Sequence, residues 1–314
     1  MKGLTITIFL VDGVDGGITT AEIGNWIGKV TVAPRSQIAD LGKRSGIDVK
    51  KPGIYFLCGE NLENPSQGVV YIGESDNVLD RLTKPDHQKR EFWQKAVIVT
   101  SKDESLNKGH VKYLESRLIK IASQAKRVKL DNNNNPEIPK FSEPLKNDME
   151  NFIVQLQILL PTLGLIFAKP LPILDKIQGA QNGVQVESPI FHMNYSGVDA
   201  SAQEVNGEFV VFKDSTARKT DTPSLTEYYK QKRHDLLNEG KLTDSANNDY
   251  WNFTQNVPFS SPSYAANVVT GTRLNGRVYW KMKESGQTYA EWQESKIEEV
   301  EKSETENGVH EEQT

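Results

Sequence analysis

Two triplets, Gly53-Ile54-Tyr55 and Tyr71-Ile72-Gly73, the second tyrosine sixteen residues after the first, constrain this chain more than any other feature. Each lies in an apolar stretch bounded by turn residues. Pro52-Gly53 opens the first, and Asn64-Pro65-Ser66-Gln67-Gly68 separates it from Val69-Val70-Tyr71-Ile72. That pattern predicts a β-hairpin with a longish loop. Period-2 geometry puts Tyr55 and Leu57 on one face and Ile54 and Phe56 on the other, so each strand buries one side and presents one tyrosine. A third run, Lys95-Ala96-Val97-Ile98-Val99-Thr100, completes a small sheet.

Two flanking segments have helical spacing. In Asn77-Val78-Leu79-Asp80-Arg81-Leu82 the pattern is short and carries Arg81. From Gly109 to Gln124 the apolar positions Val111, Leu114, Leu118, Ile121 and Ala122 form a stripe, with Glu115 at its edge. A carboxylate there faces the sheet, and burying it uncompensated costs several kcal/mol, on the order of 3–5. It calls for a cation, either a bound metal or an arginine, and Arg81 is the nearest candidate. Read one at a time, Tyr55 and Tyr71 are ordinary strand aromatics, and Glu115 pairs with Arg81 or Arg117 on a protein surface.

Taken together, the two triplets, an arginine ten residues beyond Tyr71 and a glutamate on the following long helix resemble the GIY-YIG nuclease superfamily in order and spacing. A subgroup of that superfamily looks similar over the full length. The stretches that carry this wider likeness are Ile6 to Leu10, Val32 to Ser36, Tyr71 to Ser75, Phe92-Trp93 and Leu130-Asp131-Asn132. In the C-terminal part they are Phe259-Ser260-Ser261-Pro262-Ser263-Tyr264-Ala265-Ala266 and Asn275-Gly276-Arg277-Val278-Tyr279-Trp280. The resemblance implies an α/β (α+β) chain, a GIY-YIG module with a small central antiparallel sheet flanked by helices, and a separate, smaller C-terminal α+β domain of unknown function. The expected boundaries are a strand-rich extension over 1–48, the nuclease module over 49–140, a connector helix and linker over 141–189, the C-terminal domain over 190–293 and an acidic disordered tail over 294–314.

The resemblance also assigns roles. It implies a DNA endonuclease that hydrolyses phosphodiesters with Mg²⁺ or Mn²⁺, in which Tyr55 is the base, Arg81 clamps the scissile phosphate, Tyr71 bonds phosphate or water, and Glu115 ligates one metal ion. Tyrosine is a poor base at its ordinary pKa of about 10, so nearby positive charge must favour the phenolate. His87, soon after the arginine, and Asn132, first in the run Asn132 to Asn135, complete the implied site. Glu74 follows the second triplet where some relatives have a cation, which argues against a lysine-assisted variant. Repair, restriction, phage defence and mobile-element processing all fit. The reading from another class is a noncatalytic DNA-binding or protein-interaction module that keeps the fold.

A net charge of −5 looks wrong for a nucleic-acid enzyme until it is resolved along the chain. Residues 291–314 hold nine acidic and two basic side chains, so everything before them is net positive. Residues 81–129 hold thirteen Lys and Arg against five Asp and Glu, a basic field suited to phosphate backbones. One cysteine, Cys58, excludes an internal disulfide, and with five scattered histidines it offers no zinc spacing. It reads as strand filler in a reducing cytoplasm. The start of the chain leads into an alternating strand over Leu4 to Val11, with no signal-peptide core, and 152–167 is too short and too interrupted to span a bilayer. The expected partner is therefore DNA, not a membrane; protein partners are unspecified.

Further expectations are a short helix or turn around Glu22 to Ile27, a connector helix over Met149 to Leu160, a domain boundary between Pro170 and Pro189, a strand over Phe209 to Phe212 and a charged helix over Leu225 to Glu239. In that helix Lys230, Lys232, Arg233 and His234 form a basic cluster, either a phosphate contact or a solvated face.

Overall fold

The computed structural model describes residues 3–44, 46–61, 68–133, 136–169 and 188–297. The chain divides into two compact units, with the division between Pro170 and Leu171. Both are mixed α/β, and among the described residues no helix is long and apolar enough to cross a membrane.

The first unit is built on one seven-stranded sheet. Its strands are β1 (Ile6–Leu10), β2 (Thr19–Ile23), β3 (Gly28–Pro34), β4 (Gly53–Glu60), β5 (Gly68–Ser75), β6 (Trp93–Ser101) and β7 (Lys129–Leu130), in the order β1-β2-β3-β6-β4-β5-β7. All neighbours are antiparallel except β5 and β7. The sheet is larger than the three strands expected, because β3 pairs with β6 along its whole length and brings β2 and β1 with it. Thr19–Ile23 is a strand where a helix or turn was expected from Glu22 on; its β-branched residues suit a pleated surface, and the turn comes only at Gly24-Asn25. The loop between β4 and β5, over 62–67, lies outside the described residues.

Helices cover both faces of this sheet. Ile54, Phe56, Ile72, Val97 and Val99 point to one face, where they meet α4 (Lys108–Ala125) and α5 (Glu143–Thr162). Tyr55, Leu57, Ala96 and Ile98 point to the other, where they meet α1 (Ile38–Leu41) and α2 (Val78–Leu82). The short α3 (Pro85–Gln88) follows α2. The start of α4 is fixed by a capping box in which the Asn107 side chain accepts from the His110 N–H. Helix α5 is longer than the connector expected over Met149 to Leu160, and it buries Phe152, Ile153, Leu156, Leu159 and Leu160 in the same core as α4. An apolar stripe of that width is a core layer, not a spacer.

The second unit has a five-stranded antiparallel sheet, in the order β14-β10-β9-β8-β15, and a three-stranded one, β11-β13-β12. Its strands are β8 (Phe191–Tyr195), β9 (Val198–Val205), β10 (Glu208–Val211), β11 (Thr216–Arg218), β12 (Leu242–Asp244), β13 (Tyr250–Phe253), β14 (Val257–Phe259) and β15 (Lys281–Met282). Helices α6 (Glu227–Asn238), α7 (Pro262–Thr270) and α8 (Gly276–Tyr279) pack with them around Phe209, Leu236, Phe253, Val268 and Trp280. Two of the quoted stretches meet here. The Trp280 indole N–H donates to the Pro262 carbonyl at 3.0 Å, and Gly276 lies so close to that carbonyl that an added Cβ would fall 2.1 Å from its oxygen.

Two members of the basic cluster on α6 are already engaged within the unit. Arg233 is buried, pairs with Asp221 at 2.8 Å and donates to the carbonyls of Val268 and Arg218, while Lys230 pairs with Glu227. Arg233 holds the interior of this unit together and is not free for phosphate. A final helical segment runs over 289–297, into the expected tail; residues 298–314 lie outside the described residues.

Helices α4 and α5 are clasped by one charged group. Glu150 of α5 receives Arg117 Nη2 at 2.9 Å, Arg117 Nε at 2.5 Å and the Tyr113 hydroxyl at 2.6 Å. Hydrogen bonding from Arg117, helped by Tyr113, holds the Glu150 carboxyl below the usual carboxylate range. A depressed folded value stabilises the fold above the unfolded pKa of about 4.3, and that stabilisation disappears as pH falls through the folded value. Glu150→Ala is expected to cost about 2 kcal/mol at pH 7, and clearly less near pH 3, in urea unfolding of the chain.

Candidate active site on one edge of the sheet

The site is assembled on β5. On one side β5 pairs with β4 from Gly53 to Glu60; on the other, β7 reaches only Val69 and Val70. Beyond that point the backbone groups of this edge have other partners. Asn132 Oδ1 accepts from the Ile72 N–H at 2.9 Å and its Nδ2 donates to the Ile72 carbonyl at 2.7 Å, so the side chain mimics a paired strand. The Glu74 N–H, two residues on and therefore on the same edge, faces the carboxyl of Glu115 from α4.

Gly73 lies between these two positions, opposite Tyr55 of β4. It has no side chain, and the Tyr55 ring occupies the space: a Cβ added at Gly73 would fall 2.4 Å from both Cζ and Oη of Tyr55. The tyrosine on the inner strand is thereby laid across the outer one, toward the edge that carries Asn132 and Glu115. There its hydroxyl meets His87 of α3, with Oη 2.7 Å from Nε2. The Tyr71 ring lies 6.2 Å from that of Tyr55 and 5.4 Å from that of His87, closing a three-ring cluster.

Charge on this cluster comes from two arginines. Arg81 of α2 acts on Tyr55 and His87, and Asp86 holds it at 2.9 Å. Arg90 sits with its guanidinium carbon 4.2 Å from the Tyr71 ring centre and is paired with Asp131. His87 is fully buried, and desolvation, followed by Arg81, pushes it down to about 4, so it is neutral at pH 7. Burial pushes the Tyr55 hydroxyl well above the tyrosine range, and Tyr71 adds to this; Arg81 pulls in the other direction but does not prevail. Arg81 alone therefore does not favour a Tyr55 phenolate, because desolvation is the larger effect.

Glu115 has a different neighbour from the one expected. Arg81 belongs to the aromatic cluster and Arg117 to Glu150, and neither compensates it. Burial, then the negative charge of Glu74, raises the Glu115 carboxyl to about 7, against smaller lowering effects from the Glu74 N–H, Lys112 and Lys108. Lys108 is drawn off toward Asp76 at 2.8 Å, with Glu74 at 3.5 Å. Two carboxyls with a deficit of positive charge suit a hard divalent cation, and Mg²⁺ takes only one or two protein carboxylates, filling its remaining positions with water or phosphate. Glu115, with Glu74 beside it, fits such an ion. Among the described residues no cluster of three or more His, Cys, Asp or Glu side chains could hold a metal.

Sequence reasoning did not find Glu74 as the second carboxyl, nor Arg35, Arg90 and Asp131. Arg35, just after β3, donates to the carbonyls of Gln88, Arg90 and Trp93 at 2.5, 2.9 and 3.3 Å and stacks 4.5 Å from the Trp93 ring centre. The Trp93 indole donates to the His87 carbonyl at 3.0 Å. The segment that carries His87 and Arg90 is therefore pinned from the first 48 residues of the chain. No periodicity signals such long-range bonds to backbone carbonyls.

A carboxyl whose folded pKa is raised stabilises the fold below its unfolded value and loses that stabilisation as pH rises through the folded value, here about 7. In EDTA at pH 8, Glu115→Gln should therefore raise the thermal midpoint by roughly 2–4 °C, with no gain at pH 5. Mg²⁺ at pH 8 should stabilise the unsubstituted chain and leave the variant unmoved. Equal midpoints under all these conditions would show that Glu115 is neither strained nor a metal ligand.

Residues 191–293 match a family described as a domain of unknown function (DUF4357). No curated protein and no solved structure matches the chain.

Proposed function

We propose that the first unit is a GIY-YIG endonuclease module that hydrolyses DNA phosphodiesters at the β5 edge. One observation carries this reading: the Tyr55 hydroxyl is laid across Gly73 onto His87, on the strand edge that also carries Asn132 and Glu115. The basic field of residues 81–129 supports a polyanionic substrate.

In this reading Tyr55 is not a standing phenolate. Neutral His87 accepts the Tyr55 proton at Nε2 as the tyrosine oxygen takes one from water, so the buried pair shares the charge that neither group holds easily alone. Arg81 neutralises the scissile phosphate, and exchange of its guanidinium from Asp86 to phosphate is a short move between two anions. Tyr71 offers a hydroxyl to phosphate or water. Asn132 keeps the edge of β5 straight beneath them. Glu115 and Glu74 would hold Mg²⁺ or Mn²⁺, which when bound stabilises the leaving oxygen and the charge on the phosphate.

Protons and metal compete for Glu115 in this scheme. Nicking of supercoiled plasmid by the full chain should require Mg²⁺ or Mn²⁺. At limiting Mg²⁺ its rate should rise with pH through about 7, and the rise should move to lower pH as Mg²⁺ is increased. Glu115→Gln should abolish nicking while retaining DNA binding. DNA binding with no nicking under any metal condition would instead support the noncatalytic module, and undiminished nicking by Glu115→Gln would remove Glu115 from the chemistry.

A further inference from the structure

We propose that Arg90 is a second phosphate-binding cation of this site, held in place by Asp131 until the nucleic-acid backbone displaces that carboxylate. The inference rests on the nuclease reading and adds to it a contact and a competitor that no motif supplies.

Arg90 lies in the segment between α3 and β6, and four restraints set its position. Its carbonyl accepts from Arg35, the neighbouring Gln88 and Trp93 carbonyls accept from the same guanidinium, and its own guanidinium lies over the Tyr71 ring. A stacked guanidinium keeps its plane and leaves its fork open at the rim, the arrangement in which arginine recognises phosphate. The fork is occupied by Asp131, whose own N–H is bonded to the Val70 carbonyl at 2.9 Å, next to Asn132 on the β5 edge. The acid is thus fixed by the same edge that carries the site.

The geometry resembles that of Arg81. Both arginines act on His87 from outside the three-ring cluster, and each is matched by an aspartate more exposed than itself. Arg90 is 28% exposed and Asp131 36%, so the pair is open to a ligand, and ion pairs this open are weak and screened by salt. A buried stabilising pair would have closed over its charges. In this one a carboxylate oxygen stands where a phosphate oxygen can take over. With Arg81 on the scissile phosphate, Arg90 over the Tyr71 ring would take a neighbouring phosphate of the same strand. Asp131 would also turn away ligands too weakly charged to displace it.

The test is duplex-DNA binding by the full chain in EDTA across a salt series, with plasmid nicking in Mg²⁺ run in parallel. Arg90→Gln should weaken binding about fivefold to tenfold at 0.1 M salt and reduce the slope of log affinity against log salt by about one, whereas Arg90→Lys should recover the slope. Asp131→Asn should tighten binding, and in the Arg90→Gln background that gain should vanish, since the acid acts by occupying Arg90. A wild-type chain that binds and nicks DNA, with unchanged affinity and slope in Arg90→Gln, would overturn the inference and leave the nuclease reading standing. An equal gain from Asp131→Asn with and without Arg90 would reduce Asp131 to simple repulsion of DNA and overturn the competition. A wild-type chain that neither binds nor nicks would overturn both.

Discussion

The Tyr55 ring lies across Gly73, and the rest of the site depends on that contact. A side chain in the middle of a sheet normally stands over its own strand. To reach the edge it has to cross a neighbour with nothing above its Cα, and glycine is the residue that permits this. The second triplet therefore has its glycine opposite the tyrosine of the first, and the two sequence signals are two halves of one close approach. From there the hydroxyl meets His87, while the backbone on either side of Gly73 faces Asn132 and Glu115. Any side chain at Gly73 would collide with the Tyr55 ring and move the hydroxyl away from all of them.

Burial gives these groups opposite tendencies. The pocket raises Tyr55, lowers His87 and raises Glu115, so in each case the uncharged form is favoured. With Tyr55, His87 and Glu115 held neutral, the proposed function has these three groups completed by charge from outside: a cation at Glu115 and Glu74, a phosphate at the arginines. Arg81 and Arg90 are each matched by an exposed aspartate, so the guanidiniums are presented in fixed positions without being committed. The N-terminal strands take part in this. Arg35 carries the rigidity of β3 into the segment around His87, so β1, β2 and β3 are continuous with the sheet and with the site.

Much of this was legible in the sequence, for physical reasons. Strong alternation in 53–60, 68–75 and 93–101 and helical spacing in 108–125 reflect burial on one face, and burial is written in the chemistry of consecutive residues. What could not be read was held by long-range geometry. Thr19–Ile23 is short and half polar, and it becomes a strand because β3 offers an edge. Glu115 and Glu74 are brought together by the packing of α4 against β5, which no spacing rule encodes. Arg233 looked like one of a surface cluster because its neighbours are basic; its burial comes from carbonyls and an aspartate contributed by other parts of the second unit. The matched domain of unknown function over residues 191–293 is a folded unit with its own core, and its aromatic and glycine residues serve that packing.

The central claim is that the Tyr55 hydroxyl, and not its ring, does the chemistry, and Tyr55→Phe tests it most directly because the ring packing against Gly73 is kept. Single-turnover cleavage of plasmid DNA and the thermal midpoint should be measured on the same preparation. The account predicts a rate lower by about 10²–10⁴ with a midpoint moved by only a few degrees. A variant that cleaves at the unsubstituted rate while losing stability would contradict it, and would make Tyr55 a buried structural tyrosine bonded to a structural histidine.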